Sequence, residues 1–135
     1  MSKFNKGLMA LLGIAMFVNG IIMLYDPEFW YYAVPTVPAT GPFNQHFLRD
    51  IGLIYVMIGA GYVTGIFFPA QRIWLWAAAT AWLGLHGFFH LWEIGAGICG
   101  ADTILKNGHA VYLPAVVGLV GIAIDVRERR AMKTA

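Results

Sequence analysis

Four apolar runs, each close to the ~20 residues that a helix needs to cross a bilayer, leave this chain of 135 residues few architectures. They cover about 7–25, 46–68, 73–98 and 109–126. Water is absent at membrane depth, so each run has to satisfy its own backbone groups, and an α-helix does so within one segment. The balance of residue types agrees: 59% are hydrophobic and 12% charged, against about half and a quarter in a soluble domain. The expected fold is all-α: residues 1–135 form one domain, a polytopic membrane protein built as a four-transmembrane-helix bundle. No basic stripe or motif points to a nucleic-acid partner. The single cysteine, Cys99, has no internal partner for a disulfide.

The connections divide the charge unevenly. Lys3, Lys6, Arg72, Arg127, Arg129, Arg130 and Lys133 fall at the termini and in the turn Pro69-Ala70-Gln71-Arg72, whereas only Arg49 and Lys106 belong to the other two connections. By the positive-inside rule both termini face the cytoplasm. The first run lacks an Ala-x-Ala cleavage site and is longer than a typical signal-peptide core, so it reads as a retained span. Asn19 within it is expected to hydrogen-bond a neighbouring helix. Residues 26–45 hold four prolines and the aromatic cluster Phe29, Trp30, Tyr31 and Tyr32. Aromatics of this kind sit at headgroup level. A short interfacial helix is expected over 27–33, in a loop that either acts as a lid or packs over the mouth of the bundle. Asn44 suits the N-cap of the second span. Residues Arg127 to Ala135 are expected to fray. Gly61 and Gly65 form a Gly-x-x-x-Gly pair, and with Gly59, Gly118 and Gly121 they suggest close helix packing, within the chain, in a homo-oligomer or in a larger membrane complex.

Ionisable groups inside the spans mark where something happens. The third run reads Leu-His-Gly-Phe-Phe-His-Leu-Trp-Glu from Leu85 to Glu93. At about 100° per residue, His86, His90 and Glu93 lie within roughly 60° of one another. At ~1.5 Å per residue, Asp50, His90 and His109 each stand about 26 Å above the inner end of their own helix. His46 and Glu93 fall about a turn above that level and His86 about a turn below. Charged and polar side chains at such depth usually face a bundle interior or a wet cavity. Imidazoles with carboxylates are the ligand set of Zn, Cu(II) and non-haem Fe. His46, Asp50, His86, His90, Glu93 and His109 are therefore the candidate metal ligands, for a role in metal handling or as a redox or hydrolytic centre. Arg49 has only donors and would anchor an anion or a neighbouring carboxylate. Haem is disfavoured, because its axial ligands need a cavity wider than a small bundle provides. Two other readings stand beside the metal. One is a polar network, with Arg49 on Glu93 and Asp50 on His90, in an accessory subunit of a larger complex. The other is a quinone-linked electron-transfer component.

The segment Asn44-Gln45-His46-Phe47-Leu48-Arg49-Asp50-Ile51-Gly52, followed by Tyr55 and Gly59 and later by Leu85-His86 and His90-Leu91-Trp92-Glu93, resembles small bacterial four-helix membrane proteins of unknown function. These are loosely similar to the DoxX-like proteins. The resemblance runs from the first helix through the third. It implies a bacterial inner-membrane location and a four-helix bundle, and it assigns no catalytic residue.

Overall fold

A computed structural model describes residues 1–134. All regular structure among them is helical. Ser2 opens α1 (Lys3–Tyr25), its side chain accepting from Asn5 N. Asp26 ends α1 and caps α2 (Pro27–Ala33), accepting from Phe29 N at 3.0 Å while Pro27 fills a position that needs no donor. After Thr36 in a left-handed conformation comes the single turn α3 (Val37–Thr40). Asn44 caps α4 (Gln45–Phe67) through Phe47 N at 3.1 Å. Pro69 follows Phe68, where the helix stops, and α5 (Arg72–Gly95) begins within five residues of the end of α4. The last helix, α6 (Asp102–Thr134), carries Pro114 inside it.

Three of these helices, α1, α4 and α6, are long and apolar enough to cross a membrane. The helix α6 departs from the expected 109–126 at both ends. It starts at Asp102, where Lys106 donates to Asp102 at 2.7 Å across one turn, so the Gly-rich connection shrinks to residues 96–101. It continues to Thr134 instead of fraying after Val126, because Arg129 is held by Asp125 and by Pro69 O.

The four long helices form a ring in which α1 touches α4, α4 touches α5, α5 touches α6 and α6 returns to α1. The α1–α4 seam is the most extensive and is built on glycine. A Cβ placed on Gly59 would stand 2.6 Å from Gly13 O, and one on Gly20 would stand 2.6 Å from Gly52 O. The two pairs have the same seven-residue spacing, so an antiparallel approach brings backbone against backbone at two levels two turns apart. The centre of the ring is filled by Met9, Leu12, Ile58, Tyr62, Trp76, Ala79 and Leu83. Its polar atoms are paired: Tyr62 Oη and Thr80 Oγ1 lie 2.8 Å apart, and Trp76 Nε1 donates to Tyr62 O at 2.9 Å. A second cluster of Met23, Tyr31 and Leu48 fastens α2 over one end of the ring. There Trp30 Nε1 donates to Asn19 Oδ1 at 2.9 Å, and Tyr31 Oη donates to Gly41 O at 2.6 Å. The first loop is packed onto the bundle mouth by these contacts.

Candidate functional site

The antiparallel ring places the start of α4, the end of α5 and the start of α6 together at the histidine end of the bundle. The opposite end, where α5 begins and α6 finishes, is the arginine end. The ion pair Arg72 Nη1–Asp125 Oδ1, at 2.8 Å, ties α5 to α6 there, and Arg72 Nε donates to Gly65 O at 2.7 Å, tying in α4. These bonds give a common origin for measuring height. At ~1.5 Å per residue, the six candidate ligands stand roughly 21 to 32 Å above it, with Asp50, His86 and His109 lowest and Glu93 highest.

Height is shared, but direction is not. The buried stripe of α4 includes Leu48, Gly52, Gly59 and Tyr62. Asp50 is two residues from both Leu48 and Gly52, about 200° around the helix. It therefore falls on the opposite stripe with His46, Leu53 and Met57, all exposed. His46 Nε2 and Asp50 Oδ2 pair along that stripe at 3.4 Å, with the His46 side chain 90% exposed. On α5 the buried stripe is Arg72, Trp76, Ala79, Thr80, Leu83 and Gly87. His86 and His90 lie on its flank, half-buried. Trp82 stacks on His86 with centroids 5.0 Å apart, and the His86 and His90 rings meet edge to face at 4.7 Å. Tyr55 of α4 packs on Trp82 at 5.4 Å. His90 Nδ1 is 2.9 Å from Glu93 Oε2, at hydrogen-bond distance but out of line with the ring N–H. On α6 the buried residues are Pro114, Gly118, Gly121 and Asp125. His109, five residues before Pro114 and so about 140° away from it, is exposed.

The structure thus joins the candidates within helices: His46 with Asp50 on α4, and His86, His90 and Glu93 on α5. Above Tyr55 and Trp82, no ion pair, hydrogen bond or ring contact links α4 to α5 among the described residues. No three His, Cys, Asp or Glu among them form a group that could hold a metal ion. Arg49 reaches neither Glu93 nor Asp50. Its Nε donates to Leu24 O at 3.1 Å, closing the end of α1. In place of the network expected of Arg49 with Glu93 and Asp50 with His90, Arg49 bonds the end of α1, and Asp50 and His90 pair within their own helices.

At the arginine end, Asp125 is a charged group that the pattern of histidines and carboxylates in the sequence did not single out. This carboxylate is 1% exposed and accepts from two guanidinium groups, Arg72 Nη1 and, at 2.6 Å, Arg129 Nε. A signal for it exists in the chain. Asp125 continues the i, i+4, i+7, i+11 series of Pro114, Gly118 and Gly121, which marks the inward face of α6.

No protein-family model matches the chain, and neither a curated protein nor a solved structure matches it.

Proposed function

We propose that α1, α4, α5 and α6 are four spans of a small bacterial inner-membrane protein with both termini in the cytoplasm, and that His86, His90 and Glu93 of α5 take up a divalent transition metal, Zn, Cu or Fe. Support for the fourth span is positional. The helix α5 has 24 residues, about 36 Å, and packs between α4 and α6, two helices apolar enough to cross. It is not among the three helices apolar enough by composition to cross, because it carries His86, His90 and four tryptophans, residues that suit the interface or the bundle interior. The seven-to-two division of Lys and Arg supports the orientation. Exposed Phe29 and Tyr32 suit α2 to headgroup level.

One observation carries the metal reading: Glu93 Oε2 sits 2.9 Å from His90 Nδ1, and the His86 ring meets the His90 ring edge to face at 4.7 Å. Two imidazoles and a carboxylate thus stand side by side on one helix, the donor types that such a metal takes as ligands. Histidines at i and i+4 can share one ion. Filling the site would take rotamer changes at His86 and Glu93, with water or an anion completing the coordination.

A packing subunit of a larger complex is the competing reading. It is favoured by the His46, Asp50, Leu53 and Met57 stripe, which turns polar groups away from the bundle. Elemental analysis of tag-free protein separates the two. The metal reading expects about one ion per chain, lost in the His86→Ala, His90→Ala double variant and kept in His46→Ala and His109→Ala. Full retention in the double variant, or no ion taken up at micromolar metal, would reject it in favour of the packing subunit.

A further inference from the structure

We propose that the arginine end binds a phosphate-bearing anion, either the phosphodiester of an anionic lipid or free phosphate. A cavity of about 360 Å³ opens there, lined by Lys6, Arg72, Asp125, Arg129 and an apolar wall that includes Ile66 and Met132. Its charge does not balance. The ammonium of Met1 is matched by Glu128 at 3.5 Å, but Lys6, Arg72 and Arg129 face a single carboxylate, Asp125, which both arginines already share. The buried charge of Arg72 is matched by Asp125, so the charges left over are those of exposed Lys6 and partly exposed Arg129, which an arriving anion can reach.

The donors are also unspent. Arg72 uses Nε on Gly65 O, one Nη1 hydrogen on Asp125 and one Nη2 hydrogen on Ile66 O. Arg129 uses Nε on Asp125 and one Nη2 hydrogen on Pro69 O. A guanidinium has five N–H groups, so two on Arg72 and three on Arg129 have no protein acceptor. Two planar forks and an ammonium are suited to phosphate oxygens, which accept several charge-assisted hydrogen bonds at once. Trp76 lies beneath Arg72, its ring centroid 5.7 Å from the guanidinium carbon, and limits how far that fork can turn. The wall of Ile66 and Met132 matches the glycerol and first methylenes of a lipid. The lipid source rests on the membrane reading above, which puts this end at headgroup level, where basic pockets between spans collect anionic lipids. Free phosphate would use the same donors without the wall.

The test uses the full tag-free chain in a mild non-ionic detergent, read by native mass spectrometry. Its probes are dioleoyl-phosphatidylglycerol, the diacylglycerol with the same chains, and inorganic phosphate. One phosphatidylglycerol per chain should be retained at least about tenfold better than diacylglycerol. Loss of one cationic contact should weaken retention about fivefold in Lys6→Gln and again in Arg129→Gln. Lys6 is exposed, so its variant reports even where Arg129→Gln does not fold. Retention of phosphatidylglycerol without phosphate binding assigns the lipid source, and phosphate binding that Lys6→Gln weakens assigns free phosphate. Equal retention of the two lipids with no phosphate bound overturns the proposal, as does binding that Lys6→Gln leaves unchanged. The metal content of the same preparations is an independent readout, so failure here leaves the His86–His90–Glu93 reading untouched. A chain that stays soluble without detergent would instead overturn the membrane reading.

Discussion

The two ends of the bundle handle their charged groups in opposite ways. At the arginine end, beside the Arg129–Asp125 pair within α6, bonds cross between helices: Arg72 of α5 to Asp125 of α6, Asn5 of α1 to Gly121 O at 3.0 Å, and Ser2 N to Glu128 at 2.8 Å. At the histidine end the polar pairs close within one helix, as in His46–Asp50, His90–Glu93 and Lys106–Asp102. Contacts between elements there run through loops and backbone: Arg49 to Leu24 O, Asn107 to Thr36, and the Gly20–Gly52 approach. A buried pair between helices sets register and cannot be surrendered without leaving a charge in a poorly solvating place. A pair within a helix can open and give its groups to a ligand while the helices stay where they are. One end is built to hold, and the other is free to exchange partners.

Removing Asp125 should break this contrast most severely. Asp125→Ala leaves Arg72 buried with no carboxylate, a kind of loss that typically costs about 3–5 kcal/mol. Thermal unfolding in detergent, followed by circular dichroism, should show a larger drop for it than for Gly20→Ala, His46→Ala or Asp50→Ala. Replacing both partners sharpens the point. Arg72→Met with Asp125→Leu removes the buried pair and leaves only the partly exposed Arg129 without its carboxylate, so it should recover most of that loss. A cost below about 1 kcal/mol for Asp125→Ala would mean that the arginine end is no more tightly tied than the histidine end.

The next largest effect tests what holds the histidine end in place of ion pairs. A Cβ on Gly20 would meet Gly52 O at 2.6 Å and Val56 N at 2.7 Å, both backbone atoms that cannot swing aside. Gly20→Ala should therefore force α1 from α4 and cost about 1–3 kcal/mol. Gly61→Ala is the control, since the nearest atom to its Cβ would be Leu75 O at 3.7 Å, ordinary contact. Equal unfolding temperatures for the two variants would show that the seam does not set the spacing at this end.

What the sequence made legible follows from the same geometry. Helix rise is nearly constant, so counting residues placed His46, Asp50, His86, His90, Glu93 and His109 at one end and at similar heights. Counting does not give direction around each axis, because that depends on which face packs. The face of α4 is chosen by Gly52 and Gly59 meeting Gly20 and Gly13, a seven-residue spacing shared by two helices. The Gly61–Gly65 pair, which the four-residue spacing singled out, plays another part. Gly61 has nothing close, and Gly65 makes room for the Trp76 ring. Once Gly52 faces α1, Asp50 has to face away, and the convergence expected across three helices becomes pairs within them. Asp125 was hidden for a related reason. It stands one residue before the end of an apolar run, where a carboxylate reads as the start of the tail, although its stripe with Gly118 and Gly121 turns it inward.

The smallest expected effect bears most directly on the exchangeable end. His46 and Asp50 pair one turn apart at 3.4 Å, with side chains 90% and 55% exposed, on the stripe that continues through Leu53 and Met57. An exposed pair within a helix is worth roughly 0.5 kcal/mol or less, because solvent screens it and two side chains lose freedom to make it. Neither partner is bonded to another helix, so His46→Ala strands no buried group, and Asp50→Ala frees only an exposed imidazole. Both variants should unfold within about 1 °C to 4 °C of the parent, given the slope of melting temperature against stability for a domain of this size. The comparison with Asp125→Ala is then a difference of several-fold between two carboxylates, one paired with an exposed imidazole and the other with a buried guanidinium. If Asp50→Ala proved as damaging as Asp125→Ala, the outward stripe of α4 would have to be buried against a second protein surface. The same melts repeated across a dilution series would show this, because a loss that rests on association shrinks as the parent itself dissociates.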